Sequence, residues 1–128
     1  MNNQSAFEKM VKHLEKQQWK RSENTNEEGD TTCAYRGEDG KMCAVGCLIP
    51  DEEYQVSFDE GEGLNVSGII DDVVVLGEIS ESLLNAMQRF HDNKMSVYNE
   101  ATNKWCINVI AERFKLNTDF LKDVKFRC

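Results

Sequence analysis

The sequence predicts an α+β fold, a helix-rich single domain with a small antiparallel β-hairpin packed on a helical cluster. Two observations predict it. Two short apolar runs between Cys33 and Ile49 flank a Gly-Glu-Asp-Gly turn, and apolar residues recur at helical spacing before and after them. The chain of 128 residues is expected to form one domain, residues 1–128, that buries roughly two thirds of its unfolded surface.

Three helices are predicted from their capping residues and apolar stripes. The segment Ser5-Ala6-Phe7-Glu8 matches a capping box, so the first helix is expected from about Ala6 to Trp19. Ser80 is the expected N-cap of the second, and the third should end near Asn117, before a last short turn of helix that opens at Thr118. The predicted core faces are Phe7, Met10, Val11 and Leu14 in the first helix, Leu83, Leu84, Met87, Phe90 and His91 in the second, and Trp105 or Cys106, Val109, Ile110, Arg113 and Phe114 in the third.

The hairpin is predicted from strands Cys33–Tyr35 and Met42–Ile49, with residues 21–30 as a loop before it. A three-residue loop with Gly40 in the left-handed region pairs Tyr35 with Cys43, and we favour this register. A two-residue Asp39-Gly40 turn is the alternative, and it would place Cys33 and Cys43 on opposite faces. Pro50 should end the second strand, and residues 51–54 suit the first turn of a short helix.

Composition excludes several classes of function. With 15 Lys and Arg against 23 Asp and Glu, the net charge of −8 disfavours direct binding to nucleic acid. No apolar run approaches the ~20 residues of a membrane span, so a cytoplasmic protein that does not contact a membrane is expected. The cysteines are expected to be reduced because their number is odd and their spacing irregular; they are Cys33, Cys43, Cys47, Cys106 and Cys128.

One block of the sequence resembles a known family. It comprises Cys33-Ala-Tyr35-Arg36-Gly37, Asp39-Gly40-Lys41, Cys43-Ala44-Val45-Gly46 and Leu48-Ile49-Pro50-Asp51-Glu52 with Tyr54. This block resembles a family of small uncharacterised proteins of tailed phages and prophages, and the His91-Asp92 pair also fits. The resemblance covers roughly residues 33–92. It implies a phage accessory gene but supplies no site residues.

Metal binding and thiol catalysis were weighed against a structural role for the same residues. Cys33, Cys43, Cys47 and His91 could be written as a zinc set, but Cys43 and Cys47 lie about 13 Å apart if they belong to one strand. A Cys43–His91 nucleophile pair would need a thiol with a lowered pKa, which a mid-strand position does not supply. The sequence therefore predicts no metal site, no catalytic residue and no cofactor, and small buried hydrophobic groups are the favoured interpretation.

The hairpin tip is the favoured binding site. Tyr35, Arg36, Asp39 and Lys41 combine an aromatic ring with charged groups that can stack on a base and hold phosphate. The end of the second helix, at His91 and Asp92, would complete such a site. The alternative is an exposed turn whose charges are solvated.

Four functions are kept open. The first is a phage-encoded accessory protein that binds and modulates, in the direction of inhibition, a host protein such as a component of antiviral defence. The second is a small-ligand or nucleotide-binding protein that uses the hairpin tip. The third is an acidic mimic of nucleic acid, suggested by the carboxylates between Asp51 and Glu62. The fourth is a cysteine- or metal-dependent enzyme. The oligomeric state is not predicted.

Overall fold

Helices make up most of the regular structure in the described residues, which are 1–25, 27–60, 64–92 and 99–127 of a computed structural model. The α-helices are α1 (Asn3–Lys16), α2 (Val66–Ile69), α3 (Glu81–Asp92) and α4 (Glu100–Arg113). The strands β1 (Glu23–Thr25) and β2 (Thr31–Cys33) form an antiparallel sheet. Short 3-10 helices lie at Glu38–Gly40, Gly46–Leu48, Val56–Asp59, Val74–Glu78 and Asp119–Asp123. The predicted α+β class is confirmed.

Helix α1 begins earlier than the sequence predicted because a different residue caps it. The Asn2 side chain accepts a hydrogen bond from the Ser5 backbone N–H at 2.8 Å, and Ser5 Oγ accepts from the Asn2 N–H at 3.1 Å. The capping box therefore joins Asn2 and Ser5, and the predicted Ser5–Glu8 box is wrong. The predicted core face is confirmed, since Phe7, Met10, Val11 and Leu14 are buried.

The predicted strand positions are wrong, although the sheet is a small antiparallel pair. Residues expected as loop form β1, which pairs with β2 so that Glu23 lies opposite Cys33. Polar strands this short show neither alternation nor an apolar run, which explains why the pattern missed them. The predicted strand Met42–Ile49 is instead a single bridge at Met42 followed by a 3-10 helix at Gly46–Leu48.

The favoured register of the turn is nevertheless confirmed. Arg36 bridges to Met42, the Cys43 N–H donates to the Tyr35 carbonyl at 3.3 Å, and Gly37 N–H donates to the Lys41 carbonyl at 2.9 Å. Beyond Cys43 the chain turns into the 3-10 helix Gly46–Leu48 and does not continue as a strand. At Gly46 an added Cβ would lie 2.1 Å from the Tyr35 carbonyl oxygen, so only glycine allows the 3-10 turn to pack this closely. After Pro50, residues 51–53 form one turn that does not continue as a helix.

Helix α3 follows Ser80 directly, and its stripe agrees with the sequence prediction. Leu83, Leu84, Met87 and His91 are buried, and Phe90 packs partly buried against them. The predicted last turn is also present, as the 3-10 helix Asp119–Asp123. Among the helices of the described residues, none is both long and apolar enough to cross a membrane.

Helix α4 faces the core with a different side from the one predicted. Its buried residues are Asn103, Ile107, Ile110 and Ala111. Of the predicted stripe, Ile110 is in the core and Cys106 and Phe114 are partly buried. Val109 and Arg113 are exposed. Apolar residues occur around the whole helix, so their spacing did not identify one face.

Candidate functional site: the hairpin tip and the outer face of α4

The Arg36 guanidinium is held inside the fold. One terminal nitrogen donates to the Ile49 carbonyl oxygen at 3.0 Å, and the other lies 2.7 Å from a carboxylate oxygen of Asp51. The guanidinium carbon lies 4.4 Å from the centre of the Tyr54 ring, a cation–π arrangement. Arg36 therefore ties the hairpin tip to residues 49–54, and both terminal nitrogens of its guanidinium are engaged by groups of this chain.

Tyr35 is also held by contacts within the fold. Its side chain is buried, with the residue only 4% exposed, and its hydroxyl donates to the Leu64 carbonyl at 2.5 Å. Asp59 holds its backbone: one carboxylate oxygen accepts from the Tyr35 N–H at 2.8 Å, and the other accepts from the Arg36 N–H at 3.2 Å and from the Tyr54 hydroxyl. Burial and the hydrogen bond to Asp59 raise the pKa of Tyr54 to about 12.

Asp39 and Lys41 are the predicted site residues that line a cavity beside the end of α1. They lie at the rim of a groove of about 400 Å³ between the hairpin tip and the end of α1. We call this cavity the tip groove. It is lined by His13, Lys16, Gln17, Gln18 and Lys20 on one side and by residues 39–42 on the other. The sequence predicted the tip as one wall of a site, but it placed the end of α3 opposite, where the structure has the end of α1.

The two walls of the tip groove are joined by hydrogen bonds to Met42. The Gln17 side chain accepts from the Met42 N–H at 3.0 Å and donates to the Met42 carbonyl at 2.9 Å. His13 Nε2 donates to the same carbonyl at 3.0 Å. The amide of Gln17 thus pairs with the backbone as a neighbouring strand would, which fixes the tip against α1.

A second groove adjoins the first. It has a volume of about 520 Å³ and shares Lys16 and Gln18 with the tip groove. Its other lining residues are Glu15, Lys125 and Arg127. Five Lys or Arg side chains and two carboxylates therefore line the two grooves, although the whole chain carries a net charge of −8.

His91 lies behind the tip groove and does not line it. Its Nε2 donates to the Lys20 carbonyl oxygen at 2.8 Å, and the residue is 1% exposed. Burial lowers the pKa of His91 to about 4, and the neighbouring side chains of His13 and Arg21 act in the same direction. The imidazole is therefore neutral at pH 7. The side chain of Asp92 lies outside the described residues, as do Glu62 and Cys128.

Three of the cysteines, Cys43, Cys47 and Cys106, are poorly suited to nucleophilic or metal chemistry. Burial raises the pKa of Cys47 to about 12 and raises that of Cys106, whereas a nucleophile or a metal ligand must be the thiolate. Cys43 is fully buried and its sulfur accepts a hydrogen bond from the Gly46 N–H. Within the part of the chain that the structure describes, no three His, Cys, Asp or Glu side chains are grouped so that they could hold a metal ion.

A further cavity of about 600 Å³ is lined in part by Tyr35. Its lining is mainly amide and hydroxyl groups, with Asp59 and Arg89 as the charged members. Asp59 already accepts hydrogen bonds from the backbone of Tyr35 and Arg36. The lining of this cavity therefore does not concentrate charge of one sign, which would favour a charged ligand.

Helix α4 presents an aromatic side chain to solvent on the side opposite its core face. Trp105 is 67% exposed, and Val109, one turn later, is 41% exposed. Ala101, one turn earlier, is also exposed. We call these three residues the outer face of α4. The spacing predicted either Trp105 or Cys106 on the core face of this helix, and the structure exposes Trp105. Apolar residues on both sides of the helix were the signal that one side is exposed.

Comparison with known proteins adds no relationship: no protein-family model, no curated protein sequence and no solved structure matches this chain.

Proposed function

We propose that this protein acts by binding another protein, and that the outer face of α4 is its docking surface. The observation that carries this proposal is the exposure of Trp105 beside Val109 on a helix whose opposite side is in the core. A tryptophan side chain buries about 150–250 Å² when it is covered, and tryptophan is among the residues most enriched at the energetic centres of interfaces.

The charge of the chain favours a partner of positive net charge. A net charge of −8 attracts a basic protein at long range and repels an acidic one. The expected partner therefore combines a basic surface with an apolar pocket that accepts the indole of Trp105. Long-range attraction raises the association rate, whereas burial of the indole slows dissociation.

Binding is favoured over catalysis by the state of the reactive side chains. The pKa of Cys47 is raised by burial and that of His91 is lowered by burial, so neither group is activated at neutral pH. The resemblance of residues 33–92 to phage proteins supports a phage-encoded accessory role. We accordingly propose that the partner is a host protein in the bacterial cytoplasm, that binding lowers its activity, and that a component of antiviral defence is one such partner.

Affinity capture from a lysate of the bacterial host tests this function. The immobilised wild-type protein is compared with Trp105→Ala and with Val74→Ala, which removes another apolar group, 74% exposed, far along the chain from α4. Alanine is the best helix former, so Trp105→Ala should leave α4 intact. We expect one protein that the wild type and Val74→Ala retain and Trp105→Ala loses.

Affinity measured with the purified partner makes the comparison quantitative. Loss of a central tryptophan costs about 2 kcal/mol or more, so Kd should rise roughly 30-fold in Trp105→Ala. Equal affinity of all three proteins for the captured partner would reject the outer face of α4 as the docking surface.

A further inference from the structure

We infer that the tip groove binds a small ligand carrying two or more phosphate groups, of the size of a nucleoside polyphosphate. This site is separate from the docking surface, because no residue of the outer face of α4 lines the groove. The inference goes beyond protein binding and does not depend on it.

Positive charge is concentrated in this groove by lysines from separate parts of the chain. Lys16 is the last residue of α1, Lys20 follows the helix, and Lys41 comes from the hairpin tip. None of the three forms an ion pair with a carboxylate among the residues that the structure describes. Asp39 is the acidic residue of the lining. The local charge is thus opposite in sign to that of the whole chain.

Stabilisation of α1 explains the position of only one of these three lysines. Cations in the last turn of a helix are favoured by the helix macrodipole, which accounts for Lys16. It does not account for Lys41, which belongs to another segment, or for Lys20, which lies beyond the end of α1. These two ammonium groups are brought to the same cavity by the tertiary fold.

Hydrogen bonds join the two walls of the groove. Gln17 pairs with both backbone groups of Met42, and the backbones of Gln18 and Asp39 on facing walls adopt φ values of 58° and 60°. A cavity whose walls are fixed before binding loses less conformational entropy when a ligand enters.

Phosphate fits this lining better than carboxylate does. A phosphate monoester carries a charge of about −1.5 to −2 and three strong acceptor oxygens, whereas a carboxylate carries one charge. Three ammonium groups around one cavity therefore match two or more linked phosphates. The volume of about 400 Å³ lies within the range of small-molecule sites, about 300–1,000 Å³.

Isothermal titration of the full-length protein tests the inference. The probes are adenosine triphosphate and inorganic pyrophosphate, without added metal, and adenosine serves as the ligand that lacks phosphate. Lys20→Gln plus Lys41→Gln removes two of the three ammonium groups. The matched control is Lys122→Gln, since Lys122 is exposed and lines neither groove. Circular dichroism and melting curves confirm that each variant folds.

Both phosphate probes should bind to the wild type and to Lys122→Gln, whereas adenosine should not. The double variant should bind at least about tenfold more weakly, and binding should weaken as salt is raised. Equal affinity of the double variant overturns the inference, as does binding of adenosine alone. It is also overturned if an acidic glutamate peptide binds while both phosphate probes fail, because the groove would then select a polypeptide. Trp105→Ala should bind the phosphate probes normally, so failure of one site is distinguishable from failure of the other.

Discussion

The imidazole of His91 donates a hydrogen bond to the backbone carbonyl of Lys20, with Nε2 2.8 Å from the oxygen. The same carbonyl accepts from the Gln17 side chain at 2.8 Å. Helix α3 thus holds, from the core side, the turn whose side chains line the tip groove. His91 acts on the groove as a positioning residue, although it does not line it.

The stability of the protein should depend on pH through His91. The pKa of this imidazole is lowered by burial to about 4 from its ordinary value of 6.5. Between these values the unfolded chain binds the proton and the folded chain does not, so the free energy of unfolding rises with pH. The contribution is fully present above about pH 6.5 and is lost as pH falls to about 4, an amount of up to roughly 3 kcal/mol.

Urea unfolding at a series of pH values measures this effect. Carboxylates titrate in an overlapping range, so the informative quantity is the difference between the wild type and His91→Gln, whose amide can still donate to Lys20. That difference should shrink as the pH falls from 6.5 to 4. A difference that stays constant over this range would contradict a buried neutral imidazole.

Replacing Gly46 by alanine should destabilise the fold strongly. A Cβ at this position would meet the backbone of Tyr35, with 2.1 Å to the carbonyl oxygen, and backbone cannot move aside as a flexible side chain can. We expect a loss of about 2–3 kcal/mol or more. Gly77→Ala is the control, because nothing lies within 4 Å of its added Cβ. Thermal melts of the two variants should differ clearly, and similar melts would show that Gly46 has room for a side chain.

Asp59 should matter more for stability than Asp51. Asp59→Asn places an amide nitrogen where a carboxylate oxygen accepts from the backbone N–H groups of Tyr35 or Arg36. A donor left without an acceptor costs about 1–3 kcal/mol. The Asp51 side chain is 93% exposed, so its ion pair with Arg36 is worth less than about 1 kcal/mol. Chemical denaturation measures the free energy of unfolding of Asp59→Asn and Asp51→Asn. A loss of stability in Asp51→Asn that equals or exceeds the loss in Asp59→Asn would contradict this prediction.

The sequence predicted an element correctly where its apolar residues identified one face or one turn. The α3 stripe from Leu83 to His91 has polar residues on its other side, so its period identified the core face. The register of the tip was predictable because Gly40 limits the choice of turns. The run from Met42 to Ile49 is buried on both sides, so an apolar run could not distinguish a strand from a 3-10 turn.

Only part of the candidate site could be predicted, for a similar reason. Asp39 and Lys41 were expected at the tip and do line a groove there. Arg36 and Tyr35 share the same segment, but their partners Ile49, Leu64 and Asp59 are brought to them by tertiary contacts that spacing does not show.

The assignment of α4 faces predicts unequal effects of two neighbouring truncations. Ile107 is fully buried, so Ile107→Ala should lower the free energy of unfolding by about 2–4 kcal/mol. Val109 is 41% exposed, and Val109→Ala should change the free energy of unfolding by less than about 1 kcal/mol. Equilibrium denaturation of both variants checks this, and a larger loss from Val109→Ala would mean that the helix is rotated.

Fluorine NMR of the protein labelled with 5-fluorotryptophan tests the docking surface most directly. The chain contains two tryptophans, the buried Trp19 and the exposed Trp105, and Trp105→Phe assigns their resonances. An unlabelled partner, purified after affinity capture, contributes no signal of its own. We predict that the Trp105 resonance shifts and loses its sensitivity to exchange of H₂O for D₂O when the partner binds, while the Trp19 resonance stays in place. A saturated complex in which the Trp105 resonance keeps its position and its solvent sensitivity would contradict docking through the outer face of α4.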